Sequence, residues 1–468
     1  MQIHIEVVIE GRSERRRIAT IRRGADLAAV DGLGLTLAES KDVLARLQAS
    51  VVHEHADELV AANSSCGDCG QPLSRKGTAP IVYRTAFGKL NLRSPRLYSQ
   101  CRCGVRACSR DSFNPLAMHL AQRTHPELLY LQTRWASAMS YERAAKLLGD
   151  VLPLGAAPGS SSIKAHARAA GQALATEAEE YGEHFFNEQP LRFPDPPTEP
   201  AAHVLELDAG YVRAIPEHCG GRNSFGIMLG RLIKPEGASG WHAYVIDETI
   251  NPLTQLHGFL DRQGVAIDTP MAIITDGGAD VGTPTNLPWR PTEVILDWFH
   301  ISMRFEHILQ RLRALCKTAP KSNSRLLRYA ESAKWRMWHG RAQGSLKRLQ
   351  AIQVASDGAL HARVSELITY LSNNRFRLVH YSERSRAGLP VSTSTAESAV
   401  ESVLGDRFKK NRKMRWTHEG ANALLHIRVA DLNGELEQAL KRRHWKRPRA
   451  ANDDNLDWFD QAAWEAAA

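Results

Sequence analysis

The stretch Leu205-Glu206-Leu207-Asp208-Ala209-Gly210-Tyr211 is an apolar run that ends in a carboxylate, and the elements around it fall into order once it is read as a strand. Residues 204–207 have the continuous apolar character of a buried strand, 224–233 and 241–246 read as two more, and 251–264 has the spacing of an amphipathic helix. A fourth strand at 272–275 ends in Asp276-Gly277-Gly278. A fifth at 293–296 ends in Asp297-Trp298-Phe299-His300. Acids therefore stand at the tips of several strands, and one more is expected on a later helix.

That helix is sought after a long helical stretch, at Ser392-Thr393-Ser394-Thr395-Ala396-Glu397-Ser398-Ala399-Val400-Glu401-Ser402-Val403-Leu404, where the Ser/Thr cluster supplies an N-cap region. At roughly 100° per residue, Val400, Val403, Leu404 and Phe408 form one stripe; Glu397 falls on it and Glu401 nearer its edge. An acid on a buried stripe costs several kcal/mol unless it meets a cation. Glu397 is therefore the expected fourth acid, with Glu401 as its rival. Three strands, a helix and two strands, with acids so placed, is the layout of an RNase H-like core with a nuclease-like metal site.

The chain has 468 residues, enough for about three domains. Lys and Arg number 60 against 51 Asp and Glu, a net charge of +9 and a pI near 9.2, which suits a polyanionic partner but also many solvated surfaces. The opening Met1-Gln2-Ile3-His4-Ile5-Glu6-Val7 alternates polar and apolar residues without a signal-like apolar core, and nowhere do about 20 apolar residues run together. A cytoplasmic location is expected.

In chain order, residues 3–9 and 15–21 read as a hairpin and 37–58 as a helix with Val43, Leu44, Leu47 and Val51 on one stripe, making a module over 1–60. Five of the seven cysteines then crowd into a short window: Cys66 and Cys69, a strand-like segment at 81–92, Cys101 and Cys103, and Cys108. In a reducing compartment such paired spacing predicts a structural zinc ribbon over 61–115, held by Cys66, Cys69, Cys101 and Cys103 with Cys108 as an alternative ligand. Four thiolates leave no open position for substrate. Residues 116–189 are helical in pattern, and a Gly/Pro/Ser-rich turn before Ser161 gives a helix-turn-helix-like pair with Lys164, His166 and Arg168 near the start of its second helix as candidate DNA contacts. A small helical bundle would give the same pattern. Proline-rich 190–200 reads as a linker, 201–305 as the first part of the core, 306–390 as an all-helical insertion, 391–435 as the second part of the core, and 436–468 as a basic and then acidic tail. The insertion interleaves many cations, Arg336 among them, with Trp335 and Trp338, so that bases or phosphates could lie along it; a solvated face with core tryptophans is the plainer reading. Arg407, Lys409, Lys410 and Arg415 follow the Glu397 segment and place basic charge beside the acids.

Taken together, Leu207-Asp208-Ala209-Gly210-Tyr211-Val212-Arg213, Thr275-Asp276-Gly277-Gly278, Asp297-Trp298-Phe299-His300-Ile301, Ala396-Glu397-Ser398 and Met414-Arg415-Trp416 resemble a DDE transposase of bacterial insertion sequences, of the ISKra type and related to Mutator-like transposases. Leu33-Gly34-Leu35-Thr36-Leu37-Ala38-Glu39, Tyr83–Leu90, Ser94–Tyr98 and Ser140-Tyr141 extend the likeness over nearly the whole chain. Ala396 stands where related sequences carry Val, and Ser392–Thr395 replaces a glycine-containing loop.

The resemblance implies a multidomain α+β protein that binds double-stranded DNA at element ends and target, as a homodimer or higher oligomer, and cuts and joins strands with two Mg²⁺ or Mn²⁺ ions. It implies that Asp208 bridges both ions, Asp276 completes one site and Glu397 the other. Asp297 and His300 correspond to an Asp-x-x-His element expected just outside the ligands, with His300 bonded to a carboxylate or to DNA; Asp297 replacing Asp276 as ligand is the rival assignment. A nuclease or resolvase of the same fold, and a catalytically silent DNA-binding protein, are the alternative functions.

Overall fold

A computed structural model describes residues 1–11, 13–23, 33–66, 69–98, 112–120, 122–187, 191–247, 249–278, 285, 287–392, 403–410 and 414–445, with the backbone alone for 185, 320–322, 406, 409, 410 and 443–445. The described chain is mixed α+β, with thirteen α-helices and sheets of two, two and five strands. It divides into two compact units, one of residues 1–136, 141–166 and 435–468 and one of 137–140 and 167–434. No described helix is long and apolar enough to cross a membrane.

The first unit opens with the expected hairpin, β1 (Gln2–Val8) paired antiparallel to β2 (Arg15–Arg22). Helix α1 (Leu37–Ala62) starts at a capping box in which Thr36 accepts from the Glu39 N–H and Glu39 returns to the Thr36 N–H. Arg23 grips the same carboxylate at 2.6 and 2.7 Å, and this guanidinium more than any other group holds the Glu39 carboxyl down at about 2. Strands β3 (Ser74–Thr85) and β4 (Gly88–Tyr98) form a second antiparallel ribbon. Its alternate residues Ile81, Leu90 and Leu92 pack with Leu116 of α2 (Pro115–His119) and Ala56 of α1, so one face of the ribbon is covered. Helices α3 (Pro126–Ala138), α4 (Tyr141–Val151) and α5 (Ser160–Asn187) follow.

The long helix α5 passes from one unit into the other, where the sequence suggested one helical region over 116–189. The physical reason lies in two glycines. A Cβ at Gly171 would stand 2.1 Å from the Ala423 carbonyl oxygen, and one at Gly182 would stand 2.3 Å from that of Thr254. Only glycine allows this approach, which seats residues 167–187 directly on the core helices.

The second unit is built on the five-stranded sheet of β5 (His203–Arg213), β6 (Ser224–Ile233), β7 (Ser239–Val245), β8 (Met271–Thr275) and β9 (Thr292–Leu296) in the order β7-β6-β5-β8-β9. The first three run antiparallel to their neighbours, whereas β8 lies parallel to β5 and β9 parallel to β8. Between β7 and β8 the chain crosses through α6 (Pro252–Arg262), which packs Leu256, Phe259 and Leu260 on one face of the sheet against Leu205, Leu207, Met228 and Ile273. On the other face lie α7 (Trp298–Thr318), α8 (Pro320–Trp338), α9 (Ala342–Val354), α10 (Gly358–Asn373) and α11 (Tyr381–Arg386). Consecutive members from α7 to α10 pack on one another and α10 returns to α7, closing a bundle around Phe305, Leu312, Ala333, Met337, Leu349, Val364 and Leu371. Strand β8 has helices on both sides and is buried at every residue, which is why it reads as an unbroken apolar run. Helix α12 (His418–Leu432) lies along β7, where the Asn433 side chain bonds both the N–H and the carbonyl of Trp241.

Two histidines, His242 and His257, are sealed within this unit, and His426 is half-buried. His242 of β7 stacks on Phe259 at 4.9 Å between ring centroids, and burial, reinforced by Arg262, pushes its pKa down to about 3. Burial takes His257 down to about 3 and His426 of α12 to about 4. All three folded values lie below the ordinary 6.5, so the unfolded chain takes up protons first as the pH falls, and stability present above pH 6.5 is lost on descending toward 4. Each histidine adds a slope of up to about 1.4 kcal/mol per pH unit. Denaturant unfolding at pH 7, 6 and 5 is expected to show this decline, and His242→Leu to flatten it; an equally steep decline in the variant would refute the assignment.

Candidate metal centre at the strand ends

The register of the sheet decides where the acids stand. Leu207 pairs with Thr275 and Thr275 with Leu296, so the next residues, Asp208, Asp276 and Asp297, follow in one row across β5, β8 and β9. Neighbouring strands are about 4.8 Å apart. In parallel strands in register these residues project to the same face, the one on which Val204, Ala272, Ile274 and Ile295 pack with the helical bundle. Asp208 and Asp276 are half-buried and Asp297 is fully buried.

Each aspartate is fixed by its own backbone. Asp208 Oδ1 accepts from the Ala209 N–H at 2.8 Å, and Asp276 Oδ1 from the Gly278 N–H at 2.8 Å. The turn after β8 needs Gly277, whose φ is +74° and whose Cβ would meet Leu296 Cδ1 at 2.6 Å and Asn374 Oδ1 at 2.7 Å. Asp297 caps α7 by accepting from the Phe299 N–H at 2.7 Å, and its other oxygen lies 3.8 Å from His300 Nε2. His300 is thus beside a carboxylate but beyond hydrogen-bond length in this arrangement.

Three side chains with no signature in the sequence complete the setting. Tyr370 of α10 donates to the Asp276 carbonyl at 2.7 Å, and the guanidinium of Arg304 lies 4.1 Å from its ring centroid. Burial pushes the Tyr370 phenol up; Arg304 opposes this, while Asp276 and Asp297 add to it. Tyr381 donates to the Leu296 carbonyl at 2.8 Å, and burial above all, with Tyr370 and Asp297, pushes its phenol up as well. Both tyrosines therefore stay protonated and can act as donors. Arg304 follows His300 by one helical turn, the single hint that spacing could have offered.

Glu397 and Glu401 lie outside the described residues, and among the described residues no three His, Cys, Asp or Glu form a group able to hold a metal ion. The chain on either side is anchored. Val391 accepts from the Trp298 N–H at 3.0 Å, next to Asp297. Beyond, Val403, Leu404 and Phe408 are buried, and Trp416 pairs with the far end of β5 through Trp416 N–H to Arg213 O and Ile215 N–H to Trp416 O, both 2.9 Å.

Elsewhere, Cys66 is buried and Cys69 exposed on a turn closed by Gly70 N–H to Cys66 O at 2.9 Å and Cys66 N–H to Gln71 O at 2.8 Å. Ser74 pairs with Tyr98, so the chain leaves β4 beside this turn; Cys101, Cys103 and Cys108 lie outside the described residues. Of the residues expected on a recognition helix, Lys164 is exposed, His166 is half-buried and shares a 2.6 Å hydrogen bond with Gln132, and Arg168 is ion-paired to Glu419. The connection from α4 to α5 spans 152–159, longer than the ~3–4 residues of a helix-turn-helix. Arg336 is half-buried, with a guanidinium nitrogen 3.2 Å from where a Cβ on Gly344 would stand. Arg407 is buried with its guanidinium 4.8 Å from the Trp416 ring centroid, which makes it a packing residue and not a surface contact; the sequence shows its charge but not its ring partner. Arg415 is exposed, and the side chains of Lys409 and Lys410 are outside the described residues.

Two substitutions separate positioning from folding. Asp297→Ala is expected to cost ~1 kcal/mol or more by removing the cap of α7, and Asp297→Asn to cost less. Gly277→Ala should cost ~1–3 kcal/mol, because its φ is positive and the added carbon has no room. Urea unfolding measures both; an Asp297→Ala chain as stable as the native one would remove the capping role.

No family model and no curated protein matches the chain.

Proposed function

We propose that the chain is a DDE transposase with an RNase H-like core, which binds the ends of an insertion sequence and cuts and joins DNA strands at the β5–β8–β9 edge. The observation that carries this reading is the row Asp208, Asp276 and Asp297 on three adjoining parallel strands. The sheet order, with α6 between β7 and β8, is the layout the reading requires.

The donors fit the ions proposed. Half-buried carboxylates on one sheet face are the hard oxygen ligands that Mg²⁺ and Mn²⁺ take, and Asp208 and Asp276 with Glu397 would hold two of them. Such a pair would stabilise the charge that builds on the attacking and leaving oxygens of an in-line phosphoryl displacement. Glu397 lies six positions after Val391, which is tied to Trp298, so a chain rising at most ~3.6 Å per residue keeps it within reach of the row. In the first step a water oxygen forms a bond to phosphorus and the 3′ oxygen leaves. In the second that 3′-hydroxyl attacks a target phosphodiester, one P–O bond forming as another breaks. The protein's own part is positional: the Asp276 carbonyl is fixed by Tyr370, and the Asp297 carboxylate is committed to the cap of α7. The full burial of Asp297, against the half-burial of Asp276, favours Asp276 as ligand. By the same donor argument, Cys66 and Cys69 on their closed turn suit one half of a structural zinc site, with the second half drawn from Cys101, Cys103 and Cys108.

The test is cleavage and joining of a duplex carrying the flanking terminal repeats, with Mg²⁺ or Mn²⁺, by the native chain and by Asp208→Asn, Asp276→Asn and Glu397→Gln. Each variant is expected to lose both steps while still binding the repeats. If Asp276→Asn joins strands and Asp297→Asn does not, Asp297 is the ligand; if Glu397→Gln keeps activity, Glu401 takes its place. A native chain that cuts branched DNA but not repeat ends would favour a resolvase.

A further inference from the structure

We infer that the uncovered face of the β3–β4 ribbon is a docking surface for the sugar–phosphate backbone of duplex DNA. Residues 74–98 contain Arg75, Lys76, Arg84, Lys89, Arg93 and Arg96 and not one Asp or Glu. All six cations are exposed, and none is ion-paired with a described residue. They equal two-thirds of the net charge of the whole chain, six against +9.

The pleat sorts them. Ile81, Leu90 and Leu92 face α1 and α2, while Arg84, Lys89 and Arg93 project from the other side, where no described element covers them. Arg84 and Lys89 are direct cross-strand partners, an arrangement of like charges that destabilises a ribbon. Folding gains nothing from that pair, and an anion laid across it relieves the repulsion.

The form of the surface selects among polyanions. On that face Lys89 to Arg93 spans four residues of strand, roughly 14 Å at about 3.4 Å per residue, or the length of about four base pairs. Single-stranded nucleic acid is held by exposed aromatic rings on which bases stack, and no aromatic on the ribbon is exposed. Insertion into a lipid surface needs exposed apolar side chains; among the large hydrophobic residues of 74–98 none is exposed. A rigid cationic strip lacking both is matched to the outside of a duplex. Its bonds are to phosphates, so it anchors without reading sequence. This places duplex binding on the ribbon as well as on Lys164, and it depends on DNA being the partner but not on the metal centre.

The experiment uses the full chain and a roughly 30-base-pair duplex of arbitrary sequence, titrated by fluorescence anisotropy between about 50 and 200 mM salt. Replacing Arg84, Lys89 and Arg93 together by Gln is expected to reduce the slope of log K against log salt by about 2 to 3, at ~0.9 for each phosphate no longer neutralised. The charge-preserving set Arg84→Lys, Lys89→Arg and Arg93→Lys should keep the native slope. Circular dichroism melts check folding, and if the triple variant melts early, Lys89→Gln and Arg93→Gln singly should each lower the slope by about 0.9. A native slope in the folded triple or single variants overturns the inference, as does a loss confined to single strands or to anionic vesicles. A native chain that binds with this slope but cuts nothing would refute the proposed reaction and leave the ribbon standing.

Discussion

The parallel register of β5, β8 and β9 is the constraint on which the second unit depends. It sets three aspartates in one row across adjoining strands, where like charges repel. The surrounding structure absorbs part of this. Asp297 is turned into the first turn of α7, where the positive end of the helix receives it, and the N–H groups after Asp208 and Asp276 each take one oxygen. What is left is a half-buried acidic pair on a sheet face that otherwise packs apolar side chains, an arrangement best relieved by cations.

Much of the fold was legible because its periods differ. The buried strands read as apolar runs bounded by turn residues, and each appears within a few residues of its expected place; α6 showed its stripe in the same way, whereas Leu44, Leu47 and Val51 of the stripe expected on α1 are exposed and Ala49, Val52, Ala56 and Leu59 pack in their stead. The strand tips were visible too, because an acid followed by two glycines, or by an aromatic pair, is a clear break in an apolar run. The partners of those tips were not. Tyr370 stands 94 positions after Asp276 in the chain, and nothing local distinguishes it from the other polar residues of α10. The fate of the cations was equally hidden. Charge is written in the sequence, but whether Arg168 meets Glu419, or Arg407 a tryptophan ring, is decided by the packing of distant segments.

The division of α5 follows the same logic. Its amphipathic pattern is ordinary, and the two glycines at 171 and 182 look like defects in a helix interior. They are contact points, placed where the backbones of Ala423 and Thr254 come too near for any side chain. Helix propensity is sacrificed at both for close approach to the core, which turns the second half of α5 from a surface helix into part of the catalytic candidate's scaffold.

The bond from Tyr370 to the Asp276 carbonyl has a consequence for how this protein could change over generations. It makes the bundle between β9 and residue 391 a brace on the acidic turn, together with Asn374 against Gly277 and Tyr381 on the end of β9. A lineage that shed the bundle would keep every acid yet lose the props beneath two of the three strand tips. The insertion can lengthen at its outer turns, such as the one between α9 and α10, where Val354 is exposed and a Cβ on Gly358 would meet nothing within 4 Å, but its contact helix α10 is bound to the fate of the site.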